Sequence, residues 1–547
     1  MKTRDVIIIG SGAGGGPLAL SLSAAGADVL VLEKGPFYGR EDFTTDEVET
    51  LWRGMFVPPI DEEPHILVHE GLAAPRPSTL GWIASCVGGG TVHMGAFLSR
   101  FHPDDFRMKS RFGDYESIAD WPYTYEDLEP YYTRAEWEVG VSGASESNPH
   151  EGKRSRGYPM PPLDANPLAS HLENACRRLG LHPYPTPRGI NSRPYQGRPA
   201  CSYCSACASY GCRSGARGSV PEALLSRAVA TGRCELLQPV MVREVTLDSL
   251  GRANGCVFLD AEGKEHEVRA RVVCICCSAV ESARLLLLSK SPRFPLGLCN
   301  DNGLVGRNLQ FHGTSFGDGV FRHDGMPFDH ANPFLGRSLM DHYFLPDGVS
   351  DLPKGGLLVF QYKGGSPIRA AKIVAQQGPR TVWGDELKRR LRENSEDRGR
   401  SLSFEVHHDF IPNEGTFVSL DPEVRDKWGL PVARIHLHEL EHHRKAGRWL
   451  VERGLDVFTE MGADAVEPST IGETAPYLVH GTCRAGRDPE TSVVDGYCQA
   501  HQVANLFVVD GSFMPTSGGA PPTLTILANS FRTADHIIAR AKTGDFG

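Results

Sequence analysis

Asp5–Gly35 reads DVIIIGSGAGGGPLALSLSAAGADVLVLEKG, and the fold is decided in this stretch. The apolar run Val6–Ile9 predicts a buried strand, Pro17–Gly26 a helix, and Asp28–Gly35 a second strand with its closing turn. Gly10, Gly12 and Gly15 match G-x-G-x-x-G between strand and helix. The first glycine permits the tight turn, the second lets a pyrophosphate approach the backbone, and the third brings helix against strand. Ala13 and Gly14 complete a loop at a helix N-terminus, where amides face phosphates. Glu33, ending the second strand, is placed to hold ribose hydroxyls, with Lys34 beside it. A merely structural glycine turn would not need that acid in register. The stretch therefore predicts the opening of a doubly wound dinucleotide-binding fold, without separating NAD from FAD.

Working outward, 547 residues exceed what a single core fills, so two joined lobes are expected. No stretch approaches the ~20 apolar residues of a membrane span, and a net charge of -10 argues against a nucleic-acid binder. Met1–Asp5 runs straight into a strand without a secretory signal pattern, so a cytoplasmic location is expected. Most of the 14 cysteines are then expected as thiols, and Cys274, Cys276 and Cys277 in VVCICC read as small buried hydrophobes. Short alternating strands return between Cys234 and Leu288, and the middle of the chain mixes strands such as SLSFEVHHDF (Ser401–Phe410) with charged helices. After Tyr477 come an extended segment, a strand and a long helix. The expected class is α/β. A doubly wound nucleotide-binding lobe is assembled from residues 1–110, 201–310 and 475–547, and a second, sheet-containing lobe with helical cover from residues 111–200 and 311–474.

Five ordered segments carry a family resemblance. They are the N-terminal fingerprint, VGGGTVHMGAFLSRFHPDDF (Val87–Phe106), WPYTYEDLEPYYTRAE (Trp121–Glu136), VRARVVCICCSAVESARLLLLS (Val268–Ser289), and one C-terminal segment that opens with HGTCRAGRDPETSVVD and closes with NLFVVDGSFMPTSGGAPPTLTILANSFRTADHI. In this order they resemble the glucose-methanol-choline (GMC) oxidoreductases, above all the bacterial branch with gluconate and sugar dehydrogenases and long-chain alcohol oxidases. The resemblance implies a Rossmann-like FAD lobe joined to a substrate-binding lobe with a mainly antiparallel sheet covered by helices, FAD as cofactor, a small-molecule alcohol or sugar substrate, and oxygen or an acceptor protein to reoxidise the flavin. It implies that Gly88, Gly89, Gly90, His93, Met94 and Gly95 lie against the flavin and pyrophosphate. Val242 would contact adenine through its backbone, and Asp510, Gly511, Pro522 and Thr523 would form a second FAD corner. His93 stands where some members link the ring covalently to FAD; a packed, hydrogen-bonded histidine is the other reading.

Alcohol oxidation needs a base for the hydroxyl proton while hydride leaves carbon for flavin N5, and a neutral histidine suits that task. The position at which the family carries its histidine base is Leu478 here, and the position of its second histidine or asparagine is Pro521. Residues two apart in an extended segment face the same way, so His480 is expected on the side of Leu478, displaced by about 6.6 Å. It is the first candidate for the base, against a histidine that packs beside the flavin without doing chemistry. His407 and His408 alternate on one strand, so one of them is expected to face the cleft. His501 reads as structural or flavin-adjacent, and His436, His438, His442 and His443 as a solvated face rather than a metal site. Cys201, Cys204, Cys207 and Cys212 form C-x2-C-x2-C-x4-C, a spacing that suits an iron-sulfur cluster, with a loop of reduced cysteines as the alternative and zinc a lesser one.

The expected function is FAD-dependent oxidation of a CH-OH group of a sugar or glycoside, such as an aminoglycoside-type hydroxyl in antibiotic biosynthesis. Three rivals stand beside it: oxidation of non-sugar alcohols, a hydroxynitrile-lyase-like flavoprotein without net redox change, and an electron-transfer flavin/iron-sulfur subunit.

Overall fold

The computed structural model describes residues 3–52, 54–362, 367–377, 380–474 and 478–546. Strands are numbered in chain order. Val6, Ile7, Ile8 and Ile9 are between 0% and 4% exposed, as a strand covered on both faces of a parallel sheet must be. They form β1 (Arg4–Ile9), which pairs in parallel with β2 (Val29–Leu32) and β9 (Glu265–Ile275). β2 pairs in parallel with β6 (Cys234–Leu237), and β19 (Leu506–Val508) with the end of β9. The other end of β9 carries antiparallel β8 (Ala253–Leu259), which in turn pairs with β7 (Met241–Leu247). Seven strands from both chain ends and the middle thus make one sheet. Helices Gly15–Ala24 and Thr523–Lys542 pack against each other beside it.

The second sheet is antiparallel and six-stranded, in the order β18 (Ala465–Thr474), β10 (His312–Val320), β15 (Ser401–Asp409), β12 (Gly356–Tyr362), β11 (Arg337–Leu339) and β5 (Tyr184–Pro185). Leu402, Phe404 and Val406 of β15 are fully buried in one core with Ala446, Leu450, Val451, Val457 and Phe458 of helix Glu441–Glu460. Burying each such large side chain contributes about 1.5–3 kcal/mol, so a one-residue slip of this strand is strongly disfavoured. The register leaves Ser403, Glu405 and His407 on the opposite face, toward the first lobe. A short hairpin, β13 (Gln376–Gln377) with β14 (Arg380–Thr381), stands apart.

A third sheet runs β16 (Phe417–Arg425), β17 (Pro431–Leu437), β3 (His65–His69), β4 (Arg76–Ser78). β17 pairs in parallel with β3, from Arg434↔Ile66 to Leu437↔His69. β3 falls in segment 1–110 and β17 in 311–474, so the two lobes drawn from the sequence share a sheet. A pairing between residues so distant in the chain leaves no trace in local periodicity. Among the described residues no helix is long and apolar enough to cross a membrane.

Candidate active site

The carboxyl ends of β1, β2, β9 and β19 run into residues that line one cavity of about 960 Å³, the place where open α/β sheets bind ligands. Gly10, Gly12, Ala13, Gly14, Glu33, Lys34, Val242, Asp510, Gly511, Pro522 and Thr523 all line it. So do Gly89, Gly90, His93, Met94 and Gly95. The glycines divide by what a Cβ would meet. At Gly10, where φ is +98°, and at Gly14 it would stand 2.3 and 2.0 Å from the carbonyl oxygens of Cys276 and Val509. At Gly12 it would meet only Gly88–Gly89 backbone at 3.9–4.0 Å, so this position is kept bare for what fills the cavity. Gly15, expected to bring helix against strand, and Gly88, expected to touch the cofactor, do not line the cavity. A Cβ there would strike Gly10 O at 2.1 Å and Pro221 Cδ at 2.3 Å, so packing accounts for both.

Ser11 joins the two glycine-rich segments. Its N-H and hydroxyl donate to Glu33 Oε2 at 3.0 and 2.7 Å, and its oxygen accepts from the Gly88 N-H at 2.9 Å. Gly35 N-H holds the other carboxylate oxygen of Glu33 at 2.9 Å, which anchors the acid at the cavity wall. Lys34 pairs with Glu63 at 2.6 Å over the Trp82 ring. Asp510 accepts from Ser278 N-H at 3.0 Å, Ser512 N-H at 2.8 Å and the Ser282 hydroxyl, and burial pushes its carboxyl up. Pro522 and Thr523 open the 20-residue helix Thr523–Lys542, whose positive dipole end therefore meets the cavity. A loop of bare backbone, an anchored acid and a helix start suit the phosphates and ribose of FAD.

His93 stacks on Phe56 at 4.9 Å, and its Nε2-H donates to the Ile83 carbonyl at 3.0 Å. Burial pulls its pKa down to about 4. The His93 carbonyl accepts from Ser209 N-H at 2.8 Å, which brings the cysteine loop to the cavity, where Ala208 and Ser209 form part of the wall. In that loop Cys201, Cys207 and Cys212 are half-buried and Cys204 exposed. Tyr203, Ser205 and Ser209 all take left-handed backbone (φ +54°, +62° and +72°), and Tyr203 N-H donates to Cys201 Sγ at 3.4 Å. The four sulfurs do not close on one ion. Among the described residues only His150, His182 and Asp341 bring three ligand atoms within 4.8 Å of one another.

The histidines do not sit as alternation suggested at every point. Leu478 and Val479 both line the cavity, so the chain is not a flat strand there, and His480 is fully buried outside the lining. Its backbone pairs with Gln310, its ring packs on His312 at 5.0 Å, and burial pushes it down to about 3. His407 does line the cavity, with Thr314 opposite it on β10 and Leu357 on β12. Its Nε2 stands 3.6 Å from Glu405 Oε1, and burial lowers its pKa against the opposing pull of that carboxylate. His408 points to the other face, toward His443, and lies outside the cavity. His442 and His443, expected on a solvated face, are 2% exposed because His443 stacks on Phe410 at 4.2 Å beneath β15. His501 meets Ser492 Oγ at 2.9 Å, away from the cavity. Cys274 and Cys276 are buried at the end of β9.

Four groups escaped the sequence reading: Ser11, Phe316, Gln361 and Glu405. Glu405 had a signal, since it precedes His407 by two on the same strand. Phe316 lies opposite Glu405, and Gln361 Nε2 donates to Glu405 Oε2 at 3.1 Å.

Residues 5–43 match a model of an FAD binding domain, and residues 66–314 and 412–530 match the two GMC oxidoreductase models. The chain is 33% identical to 6'''-hydroxyparomomycin C oxidase of Streptomyces lividus, over 98% of this chain and 92% of that protein. It is 33% identical to paromamine 6'-oxidase of Streptomyces fradiae, over 97% and 91% respectively. Among solved structures, pyridoxine 4-oxidase from Mesorbium loti superposes with a TM-score of 0.64 at 20% identity, over 98% of this chain and 99% of that one, and shares the fold.

Proposed function

The chain belongs to the GMC oxidoreductase family, and on that premise we propose that this FAD-dependent alcohol or sugar oxidoreductase acts on a hydroxyl of an amino sugar, with His407 taking the hydroxyl proton. Gly10, Gly12, Gly14, Glu33, Asp510 and Gly511 would hold FAD along the cavity, where the flavin would supply the acceptor for the hydride. The observation that carries the reading is the pair of Glu405 and His407 on one face of β15. Burial keeps the His407 imidazole neutral near pH 7, the form that accepts a proton. Glu405 shares the cavity wall with it and suits an ammonium group close to the reacting hydroxyl. Phe316, opposite Glu405, supplies apolar surface beside that pair, and Leu478 and Pro521 add to the apolar wall of the cavity that limits water. The two Streptomyces relatives are named for oxidising paromamine and a hydroxyparomomycin, and the carboxylate on this wall fits such amine-bearing sugars.

Anaerobic mixing of the FAD-loaded protein with paromamine, with neutral sugars and with aliphatic alcohols tests this. Bleaching of the flavin by the amine-bearing sugar supports the reading. Bleaching by neutral sugars or aliphatic alcohols alone would sink it, and no bleaching by any of them would favour the non-redox lyase. Under air, one hydrogen peroxide per product assigns oxygen as acceptor, and its absence assigns an acceptor protein.

A second reading concerns the cysteine loop, because the buried Arg188 guanidinium lies beside Cys207 and Cys201 and its Nε has no hydrogen-bond partner among the described residues. A cluster held by these cysteines would give that guanidinium an anionic partner beside the flavin cavity. Iron and acid-labile sulfide in stoichiometric amounts support it, and their absence from protein purified without oxygen rejects it.

A further inference from the structure

His150, His182 and Asp341 lie outside the cavity, at the far edge of the antiparallel sheet, and the chemistry above makes no use of them. Three separate segments deliver them. His150 sits in the loop that follows helix Tyr125–Val139, His182 between helix Leu168–Arg178 and β5, and Asp341 just beyond β11. His182 Nδ1 stands 2.7 Å and His150 Nε2 3.3 Å from the same atom, Asp341 Oδ1. The Asp341 side chain is 10% exposed, and the His182 backbone N-H donates to both its oxygens at 3.2 Å, which aims the carboxylate between the rings. The two rings stand 77° apart with centroids at 5.8 Å, so they present nitrogens to a common point rather than stacking. His342, the next residue, is turned away onto Trp449 at 5.0 Å.

Two imidazoles and a carboxylate form a donor set of borderline softness suited to zinc. Tetrahedral bonds of about 2.0–2.2 Å place ligand atoms about 3.3–3.5 Å apart. The His150 to Asp341 spacing of 3.3 Å already meets this. His182 has more than half its side chain exposed, so it can withdraw by the few tenths of an ångström that its own spacing requires, and the open side admits a water as fourth ligand.

We propose that His150, His182 and Asp341 bind a zinc ion that clasps the His150 loop and the approach to β5 onto the exit of β11. The ion takes the place of the protons that the rings now share with Asp341, and each neutral imidazole carries its N-H on the outward nitrogen, His150 Nδ1 and His182 Nε2. Because the histidines lie 191 and 159 residues from Asp341 in the chain, the clasp closes long loops and favours the folded state.

The test uses untagged, FAD-loaded protein, treated with a chelator and titrated with Co²⁺. One equivalent is expected to give d–d bands at longer wavelength than the flavin absorption. One equivalent of Zn²⁺ should abolish them, and zinc alone should raise Tm. His150→Ala with His182→Ala should lose the bands and the zinc-dependent rise while keeping the flavin spectrum. If that pair does not fold, Asp341→Asn gives the same readout with the shape of the side chain kept. Failure of the wild type to bind one equivalent at about micromolar zinc overturns the proposal, as does unchanged binding by either variant.

Discussion

Replacing His407 by Ala is expected to slow flavin reduction by about 10²–10⁴-fold, the range contributed by a positioned general base. At about 1.36 kcal/mol per decade this is about 2.7–5.4 kcal/mol of lost transition-state stabilisation. Three features of the site place His407 in that range. Its side chain is 3% exposed, its ring nitrogens hold no hydrogen bond to a described residue, and burial lowers its pKa, so the ring is neutral and uncommitted at the cavity wall. The neutral form is lost only as pH falls through that lowered value. The limiting reduction rate should therefore stay flat from pH 8 to below 6.5, the ordinary histidine value. His480→Ala is the control: its ring is equally buried but outside the cavity lining, so its loss should cost stability and leave the reduction rate within about threefold. The assay is anaerobic stopped-flow reduction of the flavin by paromamine at matched FAD content. A His407→Ala enzyme within threefold of wild type, or a hundredfold loss in His480→Ala, refutes the reasoning.

Other perturbations follow from the same geometry. Gly12→Val should fold with a normal Tm and bind little FAD, whereas Gly14→Ala should destabilise the protein, because its Cβ would lie 2.0 Å from Val509 O; FAD content and thermal melts separate the two. Acid precipitation should release FAD and leave a colourless pellet, since His93 Nε2 is committed to the Ile83 carbonyl; a yellow pellet would show a covalent bond. Lys354 is fully buried between Asp105 and Asp409, so Lys354→Met should cost about 3–5 kcal/mol in urea unfolding by stranding two carboxylates. His93 and His442 are lowered to about 4, and His408 and His480 to about 3, all chiefly by burial. The unfolded chain then binds more protons, so stability present above about pH 6.5 should fall on acidification, by about 2 kcal/mol per histidine at pH 5, read from urea midpoints.

The nucleotide-binding unit was legible because its determinants are local. A strand, a turn that only glycine permits and an acid at fixed spacing lie within 31 consecutive residues, Asp5 to Gly35, and each glycine has the reason that motif supplies. Alternation along β15 was legible for the same reason, and it correctly sent His407 and His408 to opposite faces. His480 was misjudged because period-two alternation holds only in a flat strand. Leu478 and Val479 both line the cavity where the chain enters its bridge with Gln310, and His480 is buried outside that lining. Ser11 gave no signal, because its role depends on Glu33 and Gly88 arriving from elsewhere in the chain.

By itself the sequence determined the dinucleotide fold, the family and the set of histidines from which a base is drawn, since propensity, turn chemistry and hydrophobic period act over a few residues. Only the tertiary structure decided which histidine meets the cavity, that Glu405 stands beside it, that β3 and β17 share a sheet across two expected lobes, and that His150, His182 and Asp341 converge. Each of these is a contact between side chains or strands brought together from distant segments, and such contacts come from burying apolar faces against one another, which no local pattern records.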